Sequence, residues 1–311
     1  MTAIPTDHAI AMPAHVDCAH LVVQDLPVVS AWYQKIIGLK PIETSKSGET
    51  LGVAGRPLLS LTTEGNAARA PRNAPGLFHN AFLLPSREEL ARWLAHAAHN
   101  NIRLQGASDH LVSEAIYLAD PEGNGIEVYR DRPRSEWSFK PDGTVGMDTL
   151  PLNLQALYDE APKGDWDGMA DGTAIGHIHL QVSDIPQADA FFRDVLGLGL
   201  MARYPGASFF GAGKYHHHVA ANIWNARRPE ARRPHDRAFG LHDPVQGPGG
   251  THGGAGQARC AGNSGQPRRR WLQPHRPLGH RPQAGRLTSL PDRRRMEFAE
   301  TRRPQPLRAA A

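Results

Sequence analysis

Two histidines and one glutamate in this chain stand where they could hold a metal ion. His79 and His177 each lie on the first apolar strand of a predicted structural unit, and Glu127 lies on a later strand. Ile126 and Val128 face one side of that strand, so Glu127 faces the other. A buried carboxylate needs a partner. Two neutral imidazoles and one carboxylate form the facial triad that binds Fe(II) and leaves coordination positions open, so the sequence predicts a metal site here.

The strands that carry these residues belong to an internal repeat. Residues 18–39 align without gaps on residues 177–198, with 8 of 22 positions identical. Each copy begins as an alternating apolar strand, turns at Asp-hydrophobe-Pro and continues as an amphipathic helix. A more divergent copy begins at GLFHNAFLLPS, and Ser86 and Glu89 form a capping box at its helix. In the copy at 177–198, the helix face predicted to be buried comprises Ala188, Phe191, Phe192, Val195 and Leu196.

The repeat predicts an α+β fold in which βαβββ modules form paired open barrels that enclose a cavity. Each copy supplies one strand, a helix and three further strands, and one such sheet cannot bury its apolar face alone. The predicted segments are modules at 15–64, 76–131 and 174–226, a linker at 132–173 with a short helix near 152–158, and an aberrant segment at 227–311.

The C-terminal segment has a different composition from the rest of the chain. From Ala231 to Ala311 there are 16 Arg, no Lys, no Ile and one Val. Such a composition cannot supply alternating apolar strands, so we expect a disordered tail in place of a fourth module. A GC-rich gene read out of frame would give this composition, and a genuine basic extension that binds phosphates weakly is the alternative. The absence of Lys argues against an evolved nucleic-acid arm.

Composition also bears on where the protein works. The chain has two cysteines, Cys18 and Cys260, which form no disulfide framework and favour the reducing cytoplasm. No apolar stretch approaches the roughly 18 residues that a membrane span requires. The first residues, MTAIPTDHAIAMP, lack the basic and apolar regions of a secretory signal. We therefore expect a cytoplasmic protein with no membrane partner.

The region around Glu127 carries a specific family resemblance. SDHLVSEAIYLADPEGNGIEVYRDRP, residues 108–133, resembles the signature of extradiol ring-cleaving dioxygenases in the vicinal oxygen chelate superfamily. GLFHNAFLLPS and IGHIHLQVSD are similar to the two strands that carry the family's His ligands. GKYHHHVAANIW resembles the strand that carries its acid/base His. The overall similarity is to four-module bacterial catechol 2,3-dioxygenases, and it covers residues 15 to about 225.

The resemblance implies a role for each matching residue. His79, Glu127 and His177 would bind Fe(II), although Mn(II) suits the same ligands. Tyr117, ten residues before the glutamate, would hydrogen-bond a catecholate oxygen, and His110 would lie near the substrate oxygens. His218 would be the acid/base group. Cys18 stands where a ligand His could stand in the first module, so we expect no metal there.

The resemblance also implies which modules combine. In the family, one module gives a metal-binding His and the acid/base His, and the next gives the other His, the Tyr and the Glu. These two half-sites occur here in the third and second copies, so we expect that pair to form the metal barrel. Strand alternation predicts that His217 points away from His216 and His218 and is structural, and it leaves the role of His216 open.

The predicted function is Fe(II)-dependent extradiol cleavage of a small aromatic diol with O2. A glyoxalase-type lyase or isomerase is the first alternative, but such sites usually carry a second catalytic Glu, and His218 stands at that place in the third module. A non-catalytic small-molecule-binding protein is the second, and His79 and Glu127 argue against it. A chain inactivated by loss of its fourth module and a homo-oligomeric assembly both stay open.

Overall fold

The computed structural model describes residues 9–64, 71 and 73–225 of the 311-residue chain. The expectations for residues 227–311, including a disordered tail and weak phosphate binding, lie outside these residues. Among the helices described, none is long and apolar enough to cross a membrane.

The first module forms a four-stranded sheet of its own. It comprises β1 (Ala19–Val23), α1 (Leu26–Trp32), β2 (Lys40–Thr44), β3 (Gly48–Val53) and β4 (Arg56–Thr63). The sheet order is β1-β4-β3-β2, with β1 parallel to β4. Asp25 caps α1 by accepting a hydrogen bond from the Val28 N–H at 3.1 Å, and a proline occupies the first turn. The predicted Asp-hydrophobe-Pro helix start is confirmed.

The second module repeats this order of elements. It comprises β5 (Gly76–Leu84), α2 (Arg87–His99), β6 (Gly106–Asp109), β7 (Ser113–Ala119) and β8 (Gly125–Asp131). The Ser86 hydroxyl accepts the Glu89 N–H at 3.2 Å, as predicted for the start of α2. A two-residue strand, β9 (Leu150–Pro151), and a short helix, α3 (Leu154–Asp159), follow it. The helix expected near 152–158 is therefore present, shifted slightly along the chain.

The third module shares one sheet with the second. It comprises β10 (Ala174–Gln181), α4 (Ile185–Ala190), β11 (Gly199–Tyr204), β12 (Ala207–Gly211) and β13 (Val219–Asn222). The nine strands run in the order β11-β12-β13-β10-β5-β8-β7-β6-β9. The two modules meet where β10 pairs antiparallel with β5. The predicted α+β fold is confirmed, and the copies expected to combine are the ones that form the continuous sheet.

Helices join the first module to the second. The Trp93 indole N–H on α2 donates to the Ile36 carbonyl at 3.1 Å, and Trp93 is fully buried. Glu122 accepts the backbone N–H groups of Gln24 and Asp25 at 2.7 and 2.8 Å. Apolar residues of all three modules belong to one continuous core. The first module therefore packs on the helical side of the second.

The buried face predicted for the third-copy helix is partly wrong. Ala188 and Phe192 are buried, but Phe191 is 43% exposed and Val195 is 69% exposed. A π-helical turn over Phe191–Val195 does not account for this, because the first-copy helix has the same turn over Tyr33–Ile37 and buries Tyr33, Ile36 and Ile37. The second module packs against the first-copy turn, where the Trp93 indole donates to the Ile36 carbonyl. Burial of this face therefore depends on a neighbouring module, which helical periodicity does not report.

Gly176 lies at an irregularity where β10 meets β5. The register of the two strands shifts between Ile175 and His177, which places the glycine in a bulge beside a predicted metal ligand. A Cβ atom at Gly176 would overlap the hydroxyl oxygen of Tyr129 on β8. The lack of a side chain therefore allows β10 to approach Tyr129 and fixes the direction of His177.

We predict that Gly176→Ala destabilises the protein by about 1–3 kcal/mol, because the added methyl group overpacks a fully buried position. Gly106→Ala is the matched control: a Cβ there meets no atom within 4 Å. It should change the free energy of unfolding by less than about 0.5 kcal/mol. Urea unfolding followed by circular dichroism measures both variants. Equal stabilities would show that the close approach of Tyr129 to Gly176 does not constrain the fold.

Candidate metal centre

Three neighbouring strands bring the predicted ligands to one face of the sheet. Ala81 on β5 pairs with Glu127 of β8 on one side and with His177 of β10 on the other. His79 lies two residues before Ala81 on the same strand, so its side chain shares that face. The small side chain of Ala81 leaves space between the three larger ones.

The side chains of the three residues converge on one point. The Oε2 atom of Glu127 lies 2.9 Å from Nε2 of His79 and 3.2 Å from Nε2 of His177. One nitrogen or oxygen atom from each residue lies within 4.8 Å of the others, and all three residues are buried. The structure therefore brings together the triad predicted from sequence, although its members come from two modules.

Burial and mutual charge set the protonation of this group. Burial alone would raise the pKa of Glu127, but His177 and His79 override it and hold that pKa well below its usual value. Burial lowers the pKa of His177 to about 4, even though Glu127 opposes the change. At neutral pH the centre therefore offers a carboxylate and an uncharged imidazole, the protonation states from which a metal site forms. In the metal-free protein Nε2 of His177 donates to Glu127, so an ion bound at Nε2 would require the tautomer with the proton on Nδ1.

A tight turn before β8 positions the glutamate. Asp120 accepts hydrogen bonds from the backbone N–H groups of Glu122 and Asn124 at 2.9 and 2.8 Å. Its second oxygen accepts the Asn124 side-chain amide at 2.7 Å. A Cβ at Gly125 would overlap the carbonyl oxygen of Phe78. The sequence Asp-Pro-Glu-Gly-Asn-Gly thus forms a closed turn that lets β8 begin in contact with β5, beside His79.

Tyr117 and His110 lie next to the triad. Tyr117 on β7 is the direct cross-strand partner of Glu127. His110 is bonded on both nitrogens: Nδ1 lies 2.7 Å from the Asp148 carbonyl oxygen and Nε2 lies 2.7 Å from the Tyr117 hydroxyl. A carbonyl only accepts, so Nδ1 carries the proton of the neutral ring, and Nε2 accepts from Tyr117. Burial and the charge of Glu127 raise the pKa of the tyrosine well above its usual value.

The three consecutive histidines adopt an arrangement that sequence did not predict. Residues 215–218 form irregular bends, and β13 begins only at Val219, so strand alternation does not apply to them. The ring of His217 lies 4.1 Å from that of His177 and 5.1 Å from that of Phe209. Burial lowers the pKa of His217 well below its usual value. The expectation that His217 points away from His216 is wrong, because the Nδ1 atoms of the two rings lie 2.7 Å apart.

His218 makes two backbone hydrogen bonds. Its Nε2 donates to the Ala9 carbonyl at 3.0 Å, and its Nδ1 accepts the Ala212 N–H at 3.2 Å. Burial lowers the pKa of His218 to about 3. A neutral ring satisfies both contacts, whereas a protonated ring would direct an Nδ1 proton at the Ala212 N–H. His218 thus attaches the N-terminal segment to the loop before β13.

His179, for which the sequence favoured a structural role, also lies at the centre. It is buried, and its ring lies 4.9 Å from that of His79. The rings of Phe209 and Trp224 flank it at 5.8 and 5.3 Å. The available signal was its position two residues after His177, because alternate residues of a strand share a face. These rings form an aromatic wall beside the triad.

Comparison with known proteins identifies the family. The model of the Glyoxalase/Bleomycin resistance protein/Dioxygenase superfamily matches residues 13–128 and 174–253. The chain belongs to this superfamily. The second matched range ends at residue 253, whereas the motifs that carry the resemblance end at about residue 225. A catechol-2,3-dioxygenase of Bacillus subtilis (strain 168) is 40% identical over 231 residues, which are 73% of this chain and 79% of that protein.

Solved structures give more distant matches. A structure from Bacillus subtilis subsp. subtilis str. 168 has a TM-score of 0.46 and 12% identity, and the match covers 69% of this chain but only 65% of that one. A glyoxalase I mutant from Zea mays has a TM-score of 0.43 and 12% identity, and the match covers 70% of this chain and 72% of that one. Likenesses at this level add nothing to the assignment of function.

The triad of this superfamily member has the chemistry of a metal site. The Nε2 atom of His79 is buried and makes no well-directed hydrogen bond within the part of the chain that the structure describes, although Glu127 Oε2 lies 2.9 Å away. Two imidazole nitrogens and one carboxylate oxygen that converge without other partners suit a divalent transition metal. The residues therefore fit the group that the resemblance implies.

We predict that the protein binds one equivalent of Fe(II) or Mn(II), and that Glu127→Ala and His79→Ala each remove this binding, because two ligands cannot hold the ion. Isothermal titration calorimetry with Mn(II) and elemental analysis after anaerobic loading with Fe(II) measure the stoichiometry. His99→Gln is the control, since its ring is exposed on α2, and it should bind like the parent protein. Full binding by Glu127→Ala would place the ion elsewhere.

We predict that the metal-free protein loses stability as the pH falls below about 6.5. Unfolded histidines take up a proton near that value, whereas folded His177 and His218 do so only near about 4 and about 3. The unfolded state therefore binds more protons in this window. Urea unfolding between pH 7 and 4.5 should show a slope that His218→Gln reduces by at most about 1.4 kcal/mol per pH unit. Parallel slopes for the two proteins would show that His218 is not held neutral.

Proposed function

We propose that this protein is an Fe(II)-dependent extradiol dioxygenase that cleaves the ring of a catechol-type substrate with O2. The observation that carries the proposal is the convergence of His79, Glu127 and His177 beside the Tyr117–His110 pair. The 40% identical relative from Bacillus subtilis, named a catechol-2,3-dioxygenase, supports the same reaction. The proposed partners are accordingly a small aromatic diol and O2.

His79, Glu127 and His177 would hold the iron through two imidazole nitrogens and one carboxylate oxygen. When bound, the ion would bring the diol and O2 together in a fixed orientation and lower the pKa of the diol hydroxyls. Ala81 contributes only a methyl group between the positions of Glu127 and His177, so it does not compete with an ion or a small ligand for the space between them. Mn(II) suits the same donors and is the second candidate ion.

Tyr117 would orient the substrate. Its raised pKa keeps the hydroxyl protonated at neutral pH, and the hydroxyl contacts both the Glu127 carboxylate and Nε2 of His110, the latter at 2.7 Å. A hydroxyl oxygen has two lone pairs, so that of Tyr117 can also accept a hydrogen bond from a substrate hydroxyl. His110 is fixed in turn by the Asp148 carbonyl, so the acceptor direction of Tyr117 is preset before the substrate enters.

The acid/base group in this proposal is His217. The resemblance alone assigned His218 to that role, but both nitrogens of His218 are bonded to backbone groups. His217 lies against the ligand His177, and burial keeps it neutral, so it can accept a proton from the diol hydroxyl. The residue assigned from the resemblance, His218, and the residue proposed here, His217, are neighbours within a run of three histidines.

The aromatic wall of His179, Phe209 and Trp224 would bind the ring of the substrate. Aromatic rings stack on one another at centroid distances of about 4.5–7 Å, so this wall suits a planar ring better than an aliphatic chain. Cys18 is a buried thiol that donates to the Ala19 carbonyl, and a reduced thiol suits the proposed cytoplasmic location.

We predict that the protein, purified anaerobically and loaded with Fe(II), converts catechol to a yellow ring-opened semialdehyde in air. Glu127→Ala and His79→Ala should abolish the yellow product. His217→Gln should lower kcat by about 10²–10⁴-fold, the range for loss of a general acid/base, while iron stays bound. Absorbance at the wavelength of the semialdehyde measures the rate.

His218→Gln is the matched comparison for His217→Gln, because it changes the neighbouring ring in the same way. His218→Gln should lower the free energy of unfolding but leave most of the activity per folded molecule. A larger kcat loss for His218→Gln than for His217→Gln would restore His218 as the acid/base group. A colourless intradiol product, or activity without metal, would overturn the dioxygenase assignment. Turnover of a glutathione hemithioacetal instead of catechol would favour the lyase or isomerase alternative.

A further inference from the structure

A carboxylate contacts the histidine that precedes the proposed acid/base group, His217. Asp131 is the last residue of β8, and its Oδ1 lies 2.8 Å from Nε2 of His216. The His216 side chain is fully buried, while that of Asp131 is 20% exposed. An ionised carboxylate only accepts hydrogen bonds, so Nε2 of His216 carries a proton.

The second nitrogen of His216 continues the chain towards the metal centre. Its Nδ1 lies 2.7 Å from Nδ1 of His217. One of these two nitrogens must donate and the other must accept. In the neutral form of His216, the proton on Nε2 is the only one on the ring, so Nδ1 of His216 is the acceptor and Nδ1 of His217 is the donor. The lone pair of His217 is then left on Nε2.

We propose that Asp131 is a positioning residue that acts through His216 to hold His217 in the tautomer with its proton on Nδ1 and its basic lone pair on Nε2. This inference rests on the proposed function insofar as it makes His217 the acid/base group. The arrangement itself follows from the two contacts at 2.8 and 2.7 Å. It explains why a run of histidines follows the tyrosine at this point of the chain.

The surroundings of Asp131 hold the carboxylate in place. The Tyr215 hydroxyl donates to Oδ2 of Asp131 at 2.8 Å, and the Tyr129 hydroxyl lies 3.0 Å from that of Tyr215. The proton of Tyr215 is used on the carboxylate, so Tyr129 is the donor of the second bond. The ring of Trp137 lies 5.1 Å from that of His216 and limits its movement. Both oxygens of Asp131 are therefore engaged.

Asp131→Asn tests this role with little change of shape. The side-chain amide can turn its NH2 group towards His216, which then favours a lone pair on Nε2 and a proton on Nδ1 of that ring. Nδ1 of His216 would then donate to Nδ1 of His217, so His217 would change tautomer and carry its proton on Nε2. Tyr215→Phe is the control, because it removes a hydrogen bond to Asp131 but keeps the carboxylate beside His216.

Long-range ¹H–¹⁵N NMR of the imidazoles in the metal-free protein reads the tautomers directly, and His217→Gln assigns the His217 signals. We expect Nδ1–H for His217 in the parent protein and in Tyr215→Phe, and Nε2–H in Asp131→Asn. His216→Gln breaks the chain at its middle link and serves the same purpose if Asp131→Asn does not fold. An unchanged His217 tautomer in the folded variant would overturn the proposal, as would a doubly protonated His216 in the parent.

Kinetics on the iron-loaded protein add a second readout. Asp131→Asn should lower kcat by about 10²-fold or more, the scale of a lost general base, while KM and iron content stay near those of the parent. A purely structural role would instead reduce iron content and stability together. If the parent cleaves no catechol, the proposed function fails, and the NMR result still decides whether Asp131 sets the tautomer.

Discussion

The antiparallel pairing of β10 with β5 is the constraint on which the centre depends. It joins two modules into one sheet and places Ala81 between the positions of Glu127 and His177. No single module holds all three ligands, since His177 lies 50 residues from Glu127 along the chain and reaches it only through this pairing. A shift of one residue in the register would turn His177 to the other face of the sheet. The bulge at Gly176 therefore belongs to the site as much as the ligands do.

The same pairing makes a buried charge tolerable. Glu127 is 3% exposed and ionised, and an isolated carboxylate in such a place would cost several kcal/mol. Two imidazole nitrogens within 3.2 Å offset that cost in the metal-free protein. A divalent ion would replace this contact with a stronger one, because it presents positive charge directly to the carboxylate. The fold thus positions the three side chains before an ion binds, and the buried negative charge of Glu127 favours binding of a cation.

Local signals made most of the framework predictable. The Asp25 and Ser86 helix caps, the apolar strands and the turn at Asp120 depend on neighbours within four residues, and each is found where the sequence indicates. The metal triad was accessible because repeated strands place His79 and His177 at equivalent positions. Periodicity failed in two places. It does not report which module covers a helix face, so Phe191 and Val195 are exposed against expectation. It also does not apply to the bends at 215–218, which bring His217 against His177.

Backbone carbonyls outside the modules determine which ring nitrogen carries the proton in His110 and His218. No local sequence pattern predicts these contacts. The Asp148 carbonyl, in the segment between the second and third modules, fixes the tautomer of His110. The Ala9 carbonyl, before the first strand, does the same for His218. A histidine presents one donor and one acceptor when neutral, so a single distant backbone oxygen decides which nitrogen is basic. The segment predicted as a linker therefore contributes to the function proposed here.

The proposed site draws on residues between Ala9 and Trp224 and on two of the three modules. The first module contributes no residue to the triad, and Cys18 is buried at the position where the third module has His177. It packs instead on the second module, where Trp93 of α2 and Glu122 of the turn before β8 contact it. Because α2 itself contacts β5 and β8, the first module supports these strands through that helix. The modules have thus diverged in role: two supply chemistry, and the other supports the sheet that aligns it.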